Sequence, residues 1–146
     1  MPKFSEIPWI AEHIALYETD PEKAHMWDST PLGGPGLLPT LLLTTTGRKS
    51  GEPRKLPLIY GRAGEAHVVV ASKGGMPSHP VWYLNLQAEP ACEIQVGAKR
   101  IASRARDARG DERARLWDMM AGIYPPYVDY QKATEREIPV VVLDPA

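Results

Sequence analysis

Beyond residue 40 the chain is cut into short lengths by its turn residues, and this limits the folds open to it more than any other feature. Thr40–Thr46, Arg54–Arg62 and Ala66–Ser72 are runs of β-branched and apolar residues, divided by turn signals at Gly47–Pro53 and Ala63–Glu65. That pattern predicts an antiparallel meander. Cys92–Val96 and Lys99–Ala105 read as a hairpin across Gly97-Ala98, and Ile138–Leu143, apolar throughout, reads as a last strand in the middle of the sheet. Two helices interrupt the strands. One covers residues 79–88, with Ser78 as cap and Pro80 in the first turn. The other covers 111–121, capped by Asp111, burying Leu116, Trp117 and Met120 and stopping near Gly122. About six antiparallel strands and two helices in 146 residues make an α+β design. The strands are expected to curl into a small barrel, because closure removes exposed edges.

Ahead of the strands, residues 5–27 read as helical. Ile7, Ile10 and Ile14 recur at helical spacing, and Asp20-Pro21 restarts a second short helix through Met26 and Trp27. Residues 30–39 form a breaker-rich linker. The expected organisation is a helical arm (1–30) on a barrel body (31–146), together one compact domain with one core. No stretch is long enough for a membrane-spanning helix and no secretory leader is visible, so a cytoplasmic protein is expected. A net charge of −1 argues against a nucleic-acid binder. Cys92 is the only cysteine, which fits a reducing compartment and reads as an inert core residue. His13, His25, His67 and His79 show no metal-ligand spacing, so no metal is expected. No nucleophile elbow and no dinucleotide fingerprint appear.

Three segments carry chemistry. The first is a strand end and glycine turn, Thr44-Thr45-Thr46-Gly47-Arg48-Lys49-Ser50-Gly51-Glu52-Pro53-Arg54-Lys55, with four cations against one acid. Glycines let backbone N–H groups approach an anion, and Arg and Lys supply charge and donors. A solvated hairpin tip would have the same composition. The second runs from Ala71-Ser72-Lys73-Gly74-Gly75 through Pro80-Val81-Trp82-Tyr83-Leu84-Asn85-Leu86. It leads a strand through a glycine loop to a helix N-terminus, a ready place for a negative ligand. On the helix, Trp82 and Val81 share a face with Asn85, so an indole and an amide could grip a heteroaromatic ring. A buried Trp beside a solvent-facing Asn is the plainer alternative. The third is Tyr124-Pro125-Pro126-Tyr127-Val128-Asp129-Tyr130. Its tyrosines, three apart, would lie on one side of a helix, where phenols can donate to an oxygen gaining charge. A packed tyrosine cluster remains open as well. Of the aromatic residues, 4 Trp and 6 Tyr stand against a single Phe, Phe4, which suits a cleft stacking on a planar polar ligand.

At these segments the sequence resembles the deazaflavin-dependent nitroreductase family, split-barrel proteins that use coenzyme F-420. The resemblance runs from about Leu38 to Leu143 and rests on Leu-Leu-Leu-Thr-Thr-Thr-Gly-Arg-Lys-Ser-Gly, Ala-Ser-Lys-Gly-Gly with Pro-Val-Trp-Tyr-Leu-Asn-Leu, and Ile-Pro-Val-Val-Val-Leu, in the family's order. It implies a split β-barrel of the flavin-mononucleotide-binding kind. It also implies that Arg48, Lys49, Ser50, Gly51 and Arg54 lie along the cofactor's phosphate and oligoglutamate tail. Ala71, Ser72, Lys73, Gly74 and Gly75, with Pro80, Val81, Trp82, Asn85 and Leu86, would cradle phosphate, ribityl chain and ring. Tyr124, Tyr127 and Tyr130 match substrate-side tyrosines, and Ser72 is a further hydrogen-bond or proton donor. The implied activity is hydride transfer from the reduced cofactor to a small electron-poor acceptor: a quinone, an activated alkene or a nitro compound. Runner-up readings are a flavin-mononucleotide oxidoreductase on the same fold and a non-catalytic carrier of cofactor or lipid. The N-terminal arm is expected to act as a lid, with at most weak membrane proximity, since Glu6, Glu12 and Glu18 disfavour anionic lipid. Monomer and homodimer both remain open.

Overall fold

The computed structural model describes residues 8–146, so the readings made on Phe4, Glu6 and Ile7 lie outside the described residues. Two helices lead the chain, α1 (Pro8–Thr19) and α2 (Pro21–Ala24), followed by β1 (Met26–Asp28). Then come β2 (Leu37–Thr46), β3 (Pro53–Ile59), β4 (Gly61–Ala63), β5 (Ala66–Val70), α3 (Val81–Ala88), β6 (Ala91–Val96) and β7 (Lys99–Asp107). Helices α4 (Gly110–Ile123) and α5 (Pro126–Lys132) precede the last strand, β8 (Val140–Pro145). The eight strands run β1-β2-β6-β7-β8-β5-β4 with β3 paired to β2, and every pairing is antiparallel.

Barrel closure depends on one bend. The run expected as a single strand over Arg54–Arg62 breaks at Tyr60 into β3, which pairs with β2, and β4, which pairs with β5. One stretch of chain thereby bridges the two ends of the curled sheet. Gly61 makes the bend possible, because a Cβ there would meet Met120 Sδ at 2.7 Å and Met119 Cε at 2.8 Å on α4.

Strand β8 lies between β7 and β5, as its unbroken apolar run requires. Side chains along β5 and β8 alternate between two cores. Val69, Val141 and Leu143 face the barrel interior with Leu41, Leu43 and Ile94. Val68, Val70, Val140 and Val142 face Leu116 and Met120 of α4. Both faces are dry.

The sequence reading needs correction at four places. Met26 and Trp27 are not helical but sit in β1, opposite Pro39 and Leu38; pairing with β2 overrides the local helical spacing. The supposed linker over 30–39 is a pinned turn whose last three residues already belong to β2: buried Ser29 donates through Oγ to Gly36 O at 2.7 Å and accepts from Gly36 N at 3.3 Å. Pro80 occupies the cap position of α3, leaving Ser78 to accept from Lys73 Nζ at 3.0 Å. Arg109 occupies the cap position of α4, with Asp111 two residues on in its first turn, and the helix runs on to Ile123. Among the described residues the sheet also has eight strands rather than six, because β1 and the β3–β4 bend are not visible in the sequence as separate runs.

The N-terminal helices are fastened to the barrel. Ile10 is buried in the interior core, and Tyr17 Oη donates to Thr40 O at 2.6 Å. Cys92 is half-buried beside that core, its thiol pushed up to about 11 by burial.

At the far end of the barrel His67 is almost fully buried against the Tyr60 ring, 5.1 Å between centroids. Burial, with Arg62 and Lys99 adding to it, pulls its pKa down to about 4. The unfolded chain therefore takes up this proton first as pH falls, and stability is lost between about pH 6.5 and pH 4. We expect a loss of roughly 2–3 kcal/mol at pH 4 from this group. Urea unfolding at pH 7 and pH 4.5 measures it, and His67→Leu should flatten the slope in that window.

Candidate active site

A cavity of about 380 Å³ opens where α1, β3, α3 and α5 meet. Trp9, Ile10 and His13 of α1 and Trp27 of β1 form one wall, and Leu56–Ile59 of β3 form another. Ser72, Lys73 and Gly74 line a third side with Pro80 and Trp82, and Tyr124, Tyr127 and Tyr130 complete it. Trp9 and Trp27 stack at 5.7 Å, which fixes the N-terminal wall.

The loop leaving β5 has the backbone of an anion cradle. Ser72 is right-handed helical (φ −79°, ψ −39°), and Lys73 is left-handed (φ 46°). Alternating hands turn successive N–H groups toward one concavity. The amides of Ser72, Lys73 and Gly74 donate to nothing among the described residues, whereas Gly75 N donates to Ser72 O and Met76 N to Lys73 O. Gly75 is obligatory. Its φ is +79°, and a Cβ would lie 2.5 Å from Tyr130 O.

The basic turn between β2 and β3 is a neighbour of this cavity rather than part of its lining. Arg48, Lys49, Ser50 and Gly51 are exposed, and Arg54 is half-buried beside Ser50. Asn85 connects turn and helix. It is buried, accepts from Arg48 N at 3.1 Å and donates through Nδ2 to Thr45 Oγ1 at 3.1 Å. The amide expected to grip a ligand is thus spent on holding the turn against α3. Val81 points to solvent, while Leu86 and Ala71 are core residues.

The three tyrosines form one edge-packed cluster, with Tyr124 and Tyr127 centroids 4.8 Å apart. Tyr124 Oη is 2.9 Å from Tyr130 Oη and donates to Leu32 O at 3.4 Å, so Tyr130 donates to Tyr124. Tyr127 is buried, and its hydroxyl has no hydrogen-bond partner among the described residues. Burial raises its pKa, and the neighbouring Tyr124 and Tyr130 add to the rise. It is a protonated donor with nothing yet to donate to. Among the described residues no group of three His, Cys, Asp or Glu side chains is placed to hold a metal ion.

A family model described as F420H2-dependent quinone reductase matches residues 13–145. The chain belongs to the F420H2-dependent quinone reductase family. An F420H2-dependent quinone reductase of Mycobacterium tuberculosis is 47% identical over 112 residues, 75% of each chain. A second, putative one from the same organism is 44% identical over 108 residues, 74% of this chain and 91% of the relative. A solved F420-H2 dependent reductase superposes with a TM-score of 0.67 at 42% identity, covering 72% of this chain and 93% of its own. A solved domain-swapped dimer gives 0.71 at 36% identity over 94% and 98% of the two chains. HutZ, a heme storage protein of Vibrio cholerae, shares the split-barrel fold alone, at 17% identity and TM-score 0.57 over 73% and 81%.

The family implies coenzyme F-420, and the cavity fits such a group. Three unspent amides stand at the nest for a phosphate, and largely apolar walls with Trp82 suit a flat ring. Of the residues read from the sequence, Ser72, Lys73, Gly74, Pro80, Trp82, Tyr124, Tyr127 and Tyr130 meet in this cavity. Arg48, Lys49, Ser50, Gly51 and Arg54 stand on the adjoining turn, held there by Asn85. The sequence reading missed Trp9, Ile10, His13 and Trp27, since the contacts that bring them in are long-range.

Asn85→Ala leaves Thr45 Oγ1 and the Arg48 amide without their partner. We expect a stability loss of about 1–3 kcal/mol by urea unfolding, and looser exchange of the turn amides by NMR.

Proposed function

We propose that this protein reduces small electron-poor acceptors with reduced coenzyme F-420, quinones first, with enones and nitro compounds as further acceptors of the same kind. The observation that carries this reading is the pairing of an unspent amide nest with an unspent buried phenol, Tyr127, in one largely apolar cavity. Support for a quinone as acceptor comes from the relatives named as quinone reductases.

When bound, the reduced deazaflavin supplies a hydride, and the protein is left with binding, orientation and charge. The nest of Ser72, Lys73 and Gly74 receives the phosphate. Arg48, Lys49 and Arg54 meet the anionic tail, with Ser50 and Gly51 giving the turn its shape. Trp82 and Pro80 would bound the ring, with Ala71 and Leu86 packed in the core rather than lining the cavity. Trp9 and Trp27 close the opposite side against water. Tyr127 Oη donates to the acceptor oxygen as it gains charge, and the Tyr130–Tyr124–Leu32 relay keeps the neighbouring phenols fixed. Ser72 Oγ is a second donor at the same face. Tyr127 and Tyr124 remain protonated across the neutral range because burial raises their pKa. The reaction runs in a reducing cytoplasm, where a lone thiol stays free.

The decisive assay offers menadione with reduced coenzyme F-420 or with reduced flavin mononucleotide. Turnover with the first and none with the second is expected, and the reverse result would sink the reading. Tyr127→Phe should lower kcat by about 10- to 100-fold with little change in cofactor affinity, as expected for one lost oxyanion donor. Replacing Arg48, Lys49 and Arg54 together by Ala should weaken cofactor binding and make the remainder less sensitive to salt. Unchanged affinity would place the tail elsewhere.

A further inference from the structure

Arg136 lies in the segment between α5 and β8, outside every motif discussed above. Its guanidinium reaches back across the chain to the loop that follows β5. Nε donates to Met76 O at 2.8 Å, Nη2 to Ser72 O at 2.7 Å and Nη1 to Ala71 O at 3.3 Å. Nη1 also lies 3.2 Å from His79 Nδ1, which must be the acceptor because a guanidinium only donates. One side chain thus collects three carbonyls from the two ends of a single short loop and the ring that follows it.

The consequence falls on the opposite side of the same peptides. The Ala71 and Ser72 carbonyls share peptides with the N–H groups of Ser72 and Lys73, so holding the first pair turns the second the other way. Lys73 O, on the peptide that carries the Gly74 N–H, is held by Met76 N, and none of these three amides donates among the described residues. Lys73 is a non-glycine residue at positive φ, a conformation that persists only when its surroundings enforce it. The enforcement comes from two directions. Tyr130 presses its backbone against Gly75, and Arg136 fastens the loop's two ends.

We infer that Arg136 is the positioning residue of the oxyanion nest: by holding the carbonyls of Ala71 and Ser72 it orients the amides of Ser72 and Lys73, and by holding Met76 O it fixes the residue whose N–H secures Lys73 O and with it the Gly74 amide, so that all three stay preorganised for a phosphate group. This rests on the cofactor reading above for the identity of the phosphate, but not for the ordering of the loop. Lysine cannot replace it, since an ammonium carries the charge without the planar fork that spans separate carbonyls.

The test uses Arg136→Lys and Arg136→Ala in the full chain, with amide hydrogen exchange on the unliganded protein and coenzyme F-420 affinity by fluorescence. In both variants exchange should quicken over residues 72–76 while β5 and β8 stay protected. Cofactor Kd should rise about tenfold or more, in keeping with the loss of charge-assisted hydrogen bonds, and kcat at saturating cofactor should hold. Millimolar guanidinium should restore affinity to Arg136→Ala, and sodium chloride at equal strength should not. Wild-type affinity in both variants overturns the inference. So does exchange that quickens throughout the sheet, or a loosened loop with unchanged Kd. If the wild-type protein itself fails to bind the cofactor, the functional reading fails, and the exchange data still judge whether Arg136 orders the loop.

Discussion

The pairing of β5 with β8 is the constraint from which the site is built. His67 to Val70 lie opposite Leu143 to Val140, buried on both faces, and the ladder continues one step further as Ala71 N donates to Pro139 O at 3.0 Å. That last bond fixes where two irregular segments leave the sheet. The loop from Ser72 to Met76 departs from one strand as the segment carrying Arg136 arrives at the other. Neither needs a regular structure of its own, because both are anchored at the rigid edge of a central ladder. Backbone hydrogen bonds in a doubly buried sheet are among the last to open, so the nest inherits its geometry from the most protected part of the molecule.

From that anchor the cavity is assembled out of parts that contribute shape more than reactivity. Its walls come from α1, β1, β3, α3 and α5, elements distant in sequence and held by aromatic contacts such as Trp9 on Trp27 and Tyr124 on Tyr127. The polar groups in reach are backbone amides, phenols, Ser72 and Lys73, with His13 and Thr40 already bonded to each other and to Ala24 O. Such a set suits chemistry in which a bound group carries the difficult step and the protein supplies position and a few donors. The tyrosine cluster shows the division of labour. Two phenols bond to each other, and the third, Tyr127, has its donor uncommitted.

The parts of this arrangement that were legible in the sequence are those written in local patterns. The hairpin across Gly97-Ala98 and the central apolar strand emerge where turn residues and hydrophobic runs placed them. Met26 and Trp27 were misread because a three-residue strand has too little length to show a period, and the preceding helix lent them its own. Asn85 was read as a ligand-gripping amide since its spacing from Trp82 is all that local geometry reveals. Its true partners, Thr45 and Arg48, lie about forty residues away and are brought near by the β2–β3 turn. Arg136 carried no signal at all. An arginine between a helix and a strand reads as solvated, and only the β5–β8 register shows that it faces the nest.

The distance between nest and basic turn bears on which anion the site suits. Arg48 and Lys49 are exposed, outside the cavity lining, yet Asn85 commits a buried amide to holding their turn in place. Burying such a group is costly unless its hydrogen bonds are made, and here they are made to the two ends of the turn's leading edge, Thr45 and Arg48. A flavin mononucleotide ends at its phosphate, which the nest alone can accept, and it would leave these cations idle. A deazaflavin extended by an oligoglutamate tail would continue past the phosphate and, on the proposed reading, present carboxylates to the turn. On the proposed reading, the fixed turn is the feature that favours the longer anion, because a nest recognises any phosphate and only a second, rigidly placed cationic surface can tell the two molecules apart.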